Sequence, residues 1–224
     1  YINGRLTETS SKSNIDIFNP STGEIIGKVV NSNHNDLLEM IEFAKKAQVT
    51  WSNFTPLKRS RIISKYKNLI EENIEDLAKL VSIEHGKTLD DAIGSVTRGL
   101  EVVEFACGIP HLLKGEFSLN VGTNIDSYSF RQPLGITAGI TPFNFPAMVP
   151  MWMYPISIAC GNSFILKPSE KDPSCPLKLA ELFSEAGLPN GVFNVINGDK
   201  EIVNMLIDSD DVSSVSFVGS TPVA

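Results

Sequence analysis

Residues 136–170 read ITAGITPFNFPAMVPMWMYPISIACGNSFILKPSE, and their reading decides the fold. Ile136 to Ile140 is a short apolar run, the pattern of a strand buried on both faces. Met148 to Ala159 reads as a helix, and Ser163 to Leu166 as a second strand. Toward the C-terminus the alternation continues. Ser174 to Glu185 is a helix capped by Gly187, Val192 to Ile196 a strand, Lys200 to Ile207 a helix and Val212 to Val218 a strand. Strands alternating with helices over short connections predict an α/β fold: a parallel sheet with helices packed on its faces. Right-handed crossovers then line up the carboxyl ends of the strands along one edge, where such folds bind ligands.

Upstream, the first thirty residues read as extended segments joined by turns. Asn3-Gly4 is a type I′ hairpin signal, and Asn19 to Gly23 is a turn feeding a strand from Glu24 to Val30. From Asn35 the period becomes helical through Leu37, Leu38, Ile41, Phe43, Ala44 and Ala47, with Asp36 placed as a cap or first-turn acid. Pro56 opens a second helix, as suits a first helical position. A third runs from Ile74 to His85 and is closed by Gly86. A fourth spans Thr88 to Leu113 and is expected to break at Pro110. Asp126 to Arg131 alternates like a strand. The expected organisation is N-terminal strands and helices over 1–117, a strand pair over 118–133 that leaves the body of the domain, and the sheet core over 134–224.

A chain of 224 residues holds one large domain or two small ones with a real core. Nineteen basic against 26 acidic residues give a formal charge of −7, which argues against a nucleic-acid surface. No apolar run is long enough to span a bilayer. The longest apolar stretch, Phe145 to Cys160, is short and carries three prolines. Cys107, Cys160 and Cys175 are an odd set without paired spacing, so a reducing compartment is expected and each reads as a small buried hydrophobe. His34, His85 and His111 lie too far apart to suggest a metal site. The chain starts at Tyr1 without a Met and stops at Ala224, shortly after a Gly-Ser that reads as a helix opening; both ends are read as cut.

Three loops at strand ends carry chemistry. In Thr141-Pro142-Phe143-Asn144-Phe145-Pro146, two prolines stiffen a loop whose amide is Asn144, either a turn-satisfying side chain or a donor for an oxyanion. In Lys167-Pro168-Ser169-Glu170, a cation and a carboxylate three residues apart suit ribose hydroxyls, or form an ordinary solvated pair. In Gly219-Ser220-Thr221, backbone amides and hydroxyls at a strand-to-helix turn suit a phosphate, although no Gly-x-Gly-x-x-Gly pattern is present. All three fall on the same edge of the expected sheet, which points to a nucleotide-binding α/β protein.

Pro142 to Pro146, Gly161 to Glu170, Ala186 to Val195 and Phe217 to Ser220, taken together and in this order, resemble the aldehyde dehydrogenase superfamily. Phe143 stands where a Trp is common. With Arg98 to Ala106 and Met148 to Pro155, that residue makes the chain most similar to the CoA-acylating branch that acts on methylmalonate semialdehyde. The resemblance implies a Rossmann-like NAD-binding domain, with the strand pair as an arm for assembly into a dimer or tetramer. It implies that Thr141 and Phe143 line the cofactor path and that Lys167 and Glu170 hold the adenosine ribose. Lys171 would lie at the adenine-phosphate end, and Ser220 at the pyrophosphate on a helix N-terminus. Asn144 would stabilise the oxyanion of a thiohemiacetal. Arg98 would grip a substrate carboxylate, its other reading being a helix-surface arginine in a salt bridge.

The implied reaction is covalent: a thiolate adds to the semialdehyde, hydride passes to NAD and the acyl group goes to coenzyme A with loss of carbon dioxide. The products would be propionyl-CoA or acetyl-CoA. The catalytic cysteine of the family belongs to a motif absent from this chain, so none of the three cysteines is assigned that role and the chain alone is expected to be inactive. A bacterial source would place the protein in the cytoplasm, a eukaryotic one in the mitochondrial matrix. A hydrolytic aldehyde dehydrogenase of another substrate class, and a non-catalytic nucleotide-binding fragment, remain as alternative readings.

Overall fold

The computed structural model describes residues 1–7, 9 and 11–221. Strands β1 (Asn14–Phe18) and β2 (Ile25–Val30) pair antiparallel and lead into four helices. These are α1 (His34–Ser52), α2 (Pro56–Glu72), α3 (Ile74–His85) and α4 (Leu89–Cys107), followed by the short α5 (Ile109–Leu112). A second antiparallel pair, β3 (Phe117–Gly122) with β4 (Ile125–Tyr128), precedes the alternating half. That half runs β5 (Ile136–Ile140), α6 (Met148–Ala159), β6 (Ser163–Lys167), α7 (Ser174–Glu185), β7 (Phe193–Val195), α8 (Lys200–Ile207) and β8 (Val212–Phe217).

The local signals act as read. Asn33 caps α1 through a capping box whose third residue is Asp36, and Thr55 caps α2 ahead of Pro56. Gly86 closes α3 in the left-handed region. At Asn3-Gly4 both residues have positive φ, and Ile2 and Arg5 exchange backbone hydrogen bonds, as a type I′ turn demands. Two boundaries differ most: the strand expected over Asp126 to Arg131 lies at Ile125–Tyr128, ending three residues earlier, and the fourth helix is the other. The fourth helix breaks at Gly108 rather than Pro110, and Pro110 lies in the first turn of α5, where its missing N–H costs nothing.

The four parallel strands are ordered β7-β6-β5-β8. Along β6, Phe164 and Leu166 join one apolar cluster while Ile165 joins the other, the period-two alternation of a sheet covered on both faces. Helices α2, α3, α4, α6 and α7 supply most of the first cluster, joined by Trp51 of α1 and Ile109 of α5, and the other buried apolar residues of α1, with α8, supply the second. Close approach of α4 to α6 depends on Gly99, where a Cβ would meet the Met151 side chain and come within 3.2 Å of the Met148 Cα. In the larger core the Tyr66 and Tyr154 hydroxyls bond to each other, fully buried, and the Tyr66 ring stacks on Phe183 at 4.0 Å between centroids.

The β3–β4 pair is different. All of its residues except the half-buried Gly122 are exposed, among them Phe117, Leu119, Val121, Ile125 and Tyr128.

Candidate functional site

The carboxyl ends of three strands finish level with one another. Ile140 is the register partner of Lys167 on one side and of Phe217 on the other. Pairing continues one residue further, with the Thr141 amide donating to the Lys167 carbonyl at 3.2 Å and the Val218 amide to the Ile140 carbonyl at 3.1 Å. The chain adds β6 and β7 on one flank of β5 and then returns to add β8 on the other. The loops after β5 and β8 therefore diverge, and a crevice opens between them, the usual ligand position in such sheets.

A cavity of about 560 Å³ fills that crevice. Thr141, Pro142 and Phe143 line it from the β5 loop, Lys167, Ser169, Glu170 and Lys171 from the β6 loop, and Val218, Gly219 and Ser220 from the β8 end. All six residues expected at the cofactor thus meet in one cavity. The helix expected to open at Ser220 falls on residues 222–224, outside the described residues. Lys200, Val203 and Asn204 of α8 complete the wall, and the sequence reading missed them. The signal was present: α8 also starts at the carboxyl edge, right after β7, with Asp199 capping it.

The polar groups here are spare or lightly held. The Lys167 side chain, 7% exposed, reaches Glu170 at 3.2 Å, and the Thr141 hydroxyl is buried without a hydrogen-bond partner. The Lys171 ammonium lies 4.5 Å from the Phe143 ring centre, and His85 also stacks on Phe143. A Cβ at Gly219 would lie 2.4 Å from the Phe217 ring, so this loop keeps its backbone bare. A cation and carboxylate for hydroxyls, an unsatisfied hydroxyl and a side-chain-free turn fit an adenosine diphosphate.

A second hollow, of about 330 Å³, lies along the start of α4, lined by Lys87, Asp90, Asp91, Gly94, Ser95, Arg98 and Phe145. The β5 loop divides the two: Phe143 lines the first, Phe145 the second, and Asn144 is exposed between them, lining neither. Arg98 is exposed and makes no ion pair among the described residues, so its reading as a salt-bridged surface group is not met. The Lys87 ammonium sits 3.6 Å over the Phe145 ring, and the buried Ser95 hydroxyl has no partner. No cysteine lines either hollow; burial pushes the Cys160 and Cys175 thiols up, away from the reactive thiolate.

The family model for aldehyde dehydrogenases matches residues 6–224. The chain belongs to the aldehyde dehydrogenase family. It is 56% identical over 223 residues to malonate-semialdehyde dehydrogenase of Pseudomonas aeruginosa, covering 100% of this chain and 45% of that protein. It is 48% identical over 219 residues to the acylating mitochondrial methylmalonate-semialdehyde dehydrogenase of Arabidopsis thaliana, covering 98% and 36%. The crystal structure of methylmalonate-semialdehyde dehydrogenase from Oceanimonas doudoroffii superposes with a TM-score of 0.96 at 52% identity, over 99% of this chain and 45% of that one. A Sinorhizobium meliloti structure complexed with NAD superposes with a TM-score of 0.98 at 54% identity, over 100% and 46%. The chain spans about half the length of the aldehyde dehydrogenases it matches.

Proposed function

We propose that the protein oxidises methylmalonate or malonate semialdehyde with NAD and transfers the acyl group to coenzyme A, releasing carbon dioxide. The observation that carries this reading is the meeting of Thr141, Phe143, Lys167, Glu170, Lys171 and Ser220 in one cavity at the switch point of the sheet. NAD, when bound, supplies the hydride acceptor. The residues of this chain do the rest of the positioning. Lys167 and Glu170 take the adenosine ribose hydroxyls, the lysine as donor and the carboxylate as acceptor. Lys171 lies toward the phosphates, and Gly219 and Ser220 offer amides and a hydroxyl to the pyrophosphate. Phe143 and Thr141 shape the path toward the nicotinamide end.

On the far side of the β5 loop, Arg98 donates to the substrate carboxylate in the second hollow, a role that an exposed guanidinium without an ion pair among the described residues can fill bidentately. Asn144, between the hollows, donates its amide to the oxyanion formed when a thiolate attacks the aldehyde carbon. The thiolate and the acyl transfer to coenzyme A belong to the family's downstream segment. The β3–β4 pair, exposed and apolar, serves as an assembly arm in a dimer or tetramer. NADH formation from methylmalonate semialdehyde by the intact protein, with and without coenzyme A, tests the proposal. Turnover that requires coenzyme A is expected; equal turnover without it assigns the hydrolytic branch instead.

A further inference from the structure

The loop between β6 and α7 carries, besides the groups that line the cofactor cavity, a carboxyl group to which the proposed chemistry gives no task. Asp172 is 2% exposed, and neither of its oxygens has a hydrogen-bond partner. It follows Glu170 and Lys171, which line the cavity, and precedes α7 by one proline. Glu84, at the end of α3, faces it and is pinned. One Glu84 oxygen accepts the Ser174 amide at 3.0 Å, and the other accepts the Ser174 hydroxyl, so Glu84 caps α7. Of two neighbouring acids, one is fixed by a helix end and the other is unsatisfied on a loop.

The charged and titratable surroundings of Asp172 come from three elements. Glu84 and His85 close α3, and Lys87 follows them; Glu170 and Lys171 share the loop; Cys175 opens α7. Ser169 favours the Asp172 carboxylate most, and Lys171 and Lys87 add to it. Burial, Glu84 and Glu170 oppose it and prevail, so the carboxyl is pushed up to about 8. His85, itself held toward its neutral form by burial and Lys87, adds no positive charge to offset the two acids.

We propose that Asp172 is a positioning residue that makes cofactor affinity depend on pH: as a neutral acid it lets the loop of Glu170 and Lys171 pack over α7, and as a carboxylate it is driven from Glu84 and takes the loop with it. Glu84 cannot yield without uncapping α7, so the displacement falls on Asp172. Lys171 and Glu170, one and two residues away, move with it, and these are groups assigned to the cofactor. A diphosphate bound nearby adds further negative charge and favours the protonated acid again.

The inference rests on the reading of this cavity as the NAD site. NAD is titrated into the intact protein by calorimetry at intervals between about pH 6.5 and 9.5. The expected result is a loss of affinity of about fivefold or more across the range, with its midpoint near 8. Asp172→Asn should bind NAD with a flat profile. Glu84→Gln, which keeps an acceptor for Ser174, should move the midpoint down, and if Asp172→Asn does not fold this shift decides alone. A parental slope in Asp172→Asn, or an unmoved midpoint in Glu84→Gln, overturns the inference while leaving the cofactor site standing. Absence of NAD binding at every pH overturns the cofactor site itself, and the inference with it.

Discussion

Lys167 and Glu170 hold each other at 3.2 Å across a tight turn, the lysine side chain 7% exposed and the glutamate 34%. The pair joins the last residue of a central strand to the loop that follows it. The strand fixes the ammonium, because β6 is paired on both sides and buried on both faces. The glutamate, by contrast, can exchange its partner for a ligand hydroxyl with little rearrangement.

Lys167→Ala should therefore weaken NAD binding about 10- to 100-fold, the equivalent of losing a hydrogen bond to a charged group. Titration of cofactor by calorimetry reads the change. An affinity within twofold of the parent would remove Lys167 from the site.

Arg98→Ala should act on substrate rather than cofactor. For methylmalonate semialdehyde, kcat/KM should fall about 10- to 100-fold, as expected for a lost charge-assisted contact. An aldehyde of similar size without a carboxylate should be processed as before. An unchanged KM for the carboxylated substrate would leave Arg98 a surface residue.

The Tyr66 and Tyr154 hydroxyls are each other's partner in a fully buried core. Tyr66→Phe strands the Tyr154 hydroxyl and should cost about 1–3 kcal/mol in denaturant unfolding. The double variant with Tyr154→Phe should recover part of that loss, since no orphaned group remains. A double variant as unstable as the sum of the single ones would show that the hydroxyls do not act as a pair.

Asp172 also leaves a mark on stability. Its carboxyl binds a proton more tightly in the folded protein, with a pKa raised from 3.8 to about 8. Across that window the native state holds a proton that the unfolded chain has released, so the contribution falls as pH rises and levels off above the folded value. Asp172→Asn should thus gain stability over the parent progressively from about pH 4 to about pH 8. Denaturation midpoints of both proteins at five pH values give the difference, and a constant offset would contradict the assignment.

Much of this architecture is written locally. The capping box at Asn33, the Pro56 opening, the Gly86 stop and the apolar run at Ile136 are short-range signals that tertiary structure does not override. The three strand-end loops were legible for the same reason, once the alternation placed their strands in one sheet. Other features depend on partners far along the chain. Arg59 is 4% exposed and donates to the carbonyls of Ala159 at 2.9 Å and Phe54 at 2.5 Å, which makes a cation into a core bolt across a separation of 100 residues. Nothing near Arg59 announces this. Nor does the loop around Asp172 reveal that Glu84 faces it, since that meeting depends on how α3 packs against α7. The break at Gly108 escaped because proline is a strong helix breaker in the interior yet harmless in a first turn.

The β3–β4 ribbon has consequences for how the molecule behaves in bulk. Two strands without a third, and without a helix laid across them, are marginal in water. Phe117, Leu119 and Val121 on one strand, with Ile125 and Tyr128 on the other, have no core of their own to enter. Whatever surface covers the ribbon must therefore supply its order, and a second molecule supplies it only by mass action. Backbone hydrogen exchange along 117–128 should then slow as the protein is concentrated, while exchange in β5 and β6 stays unchanged.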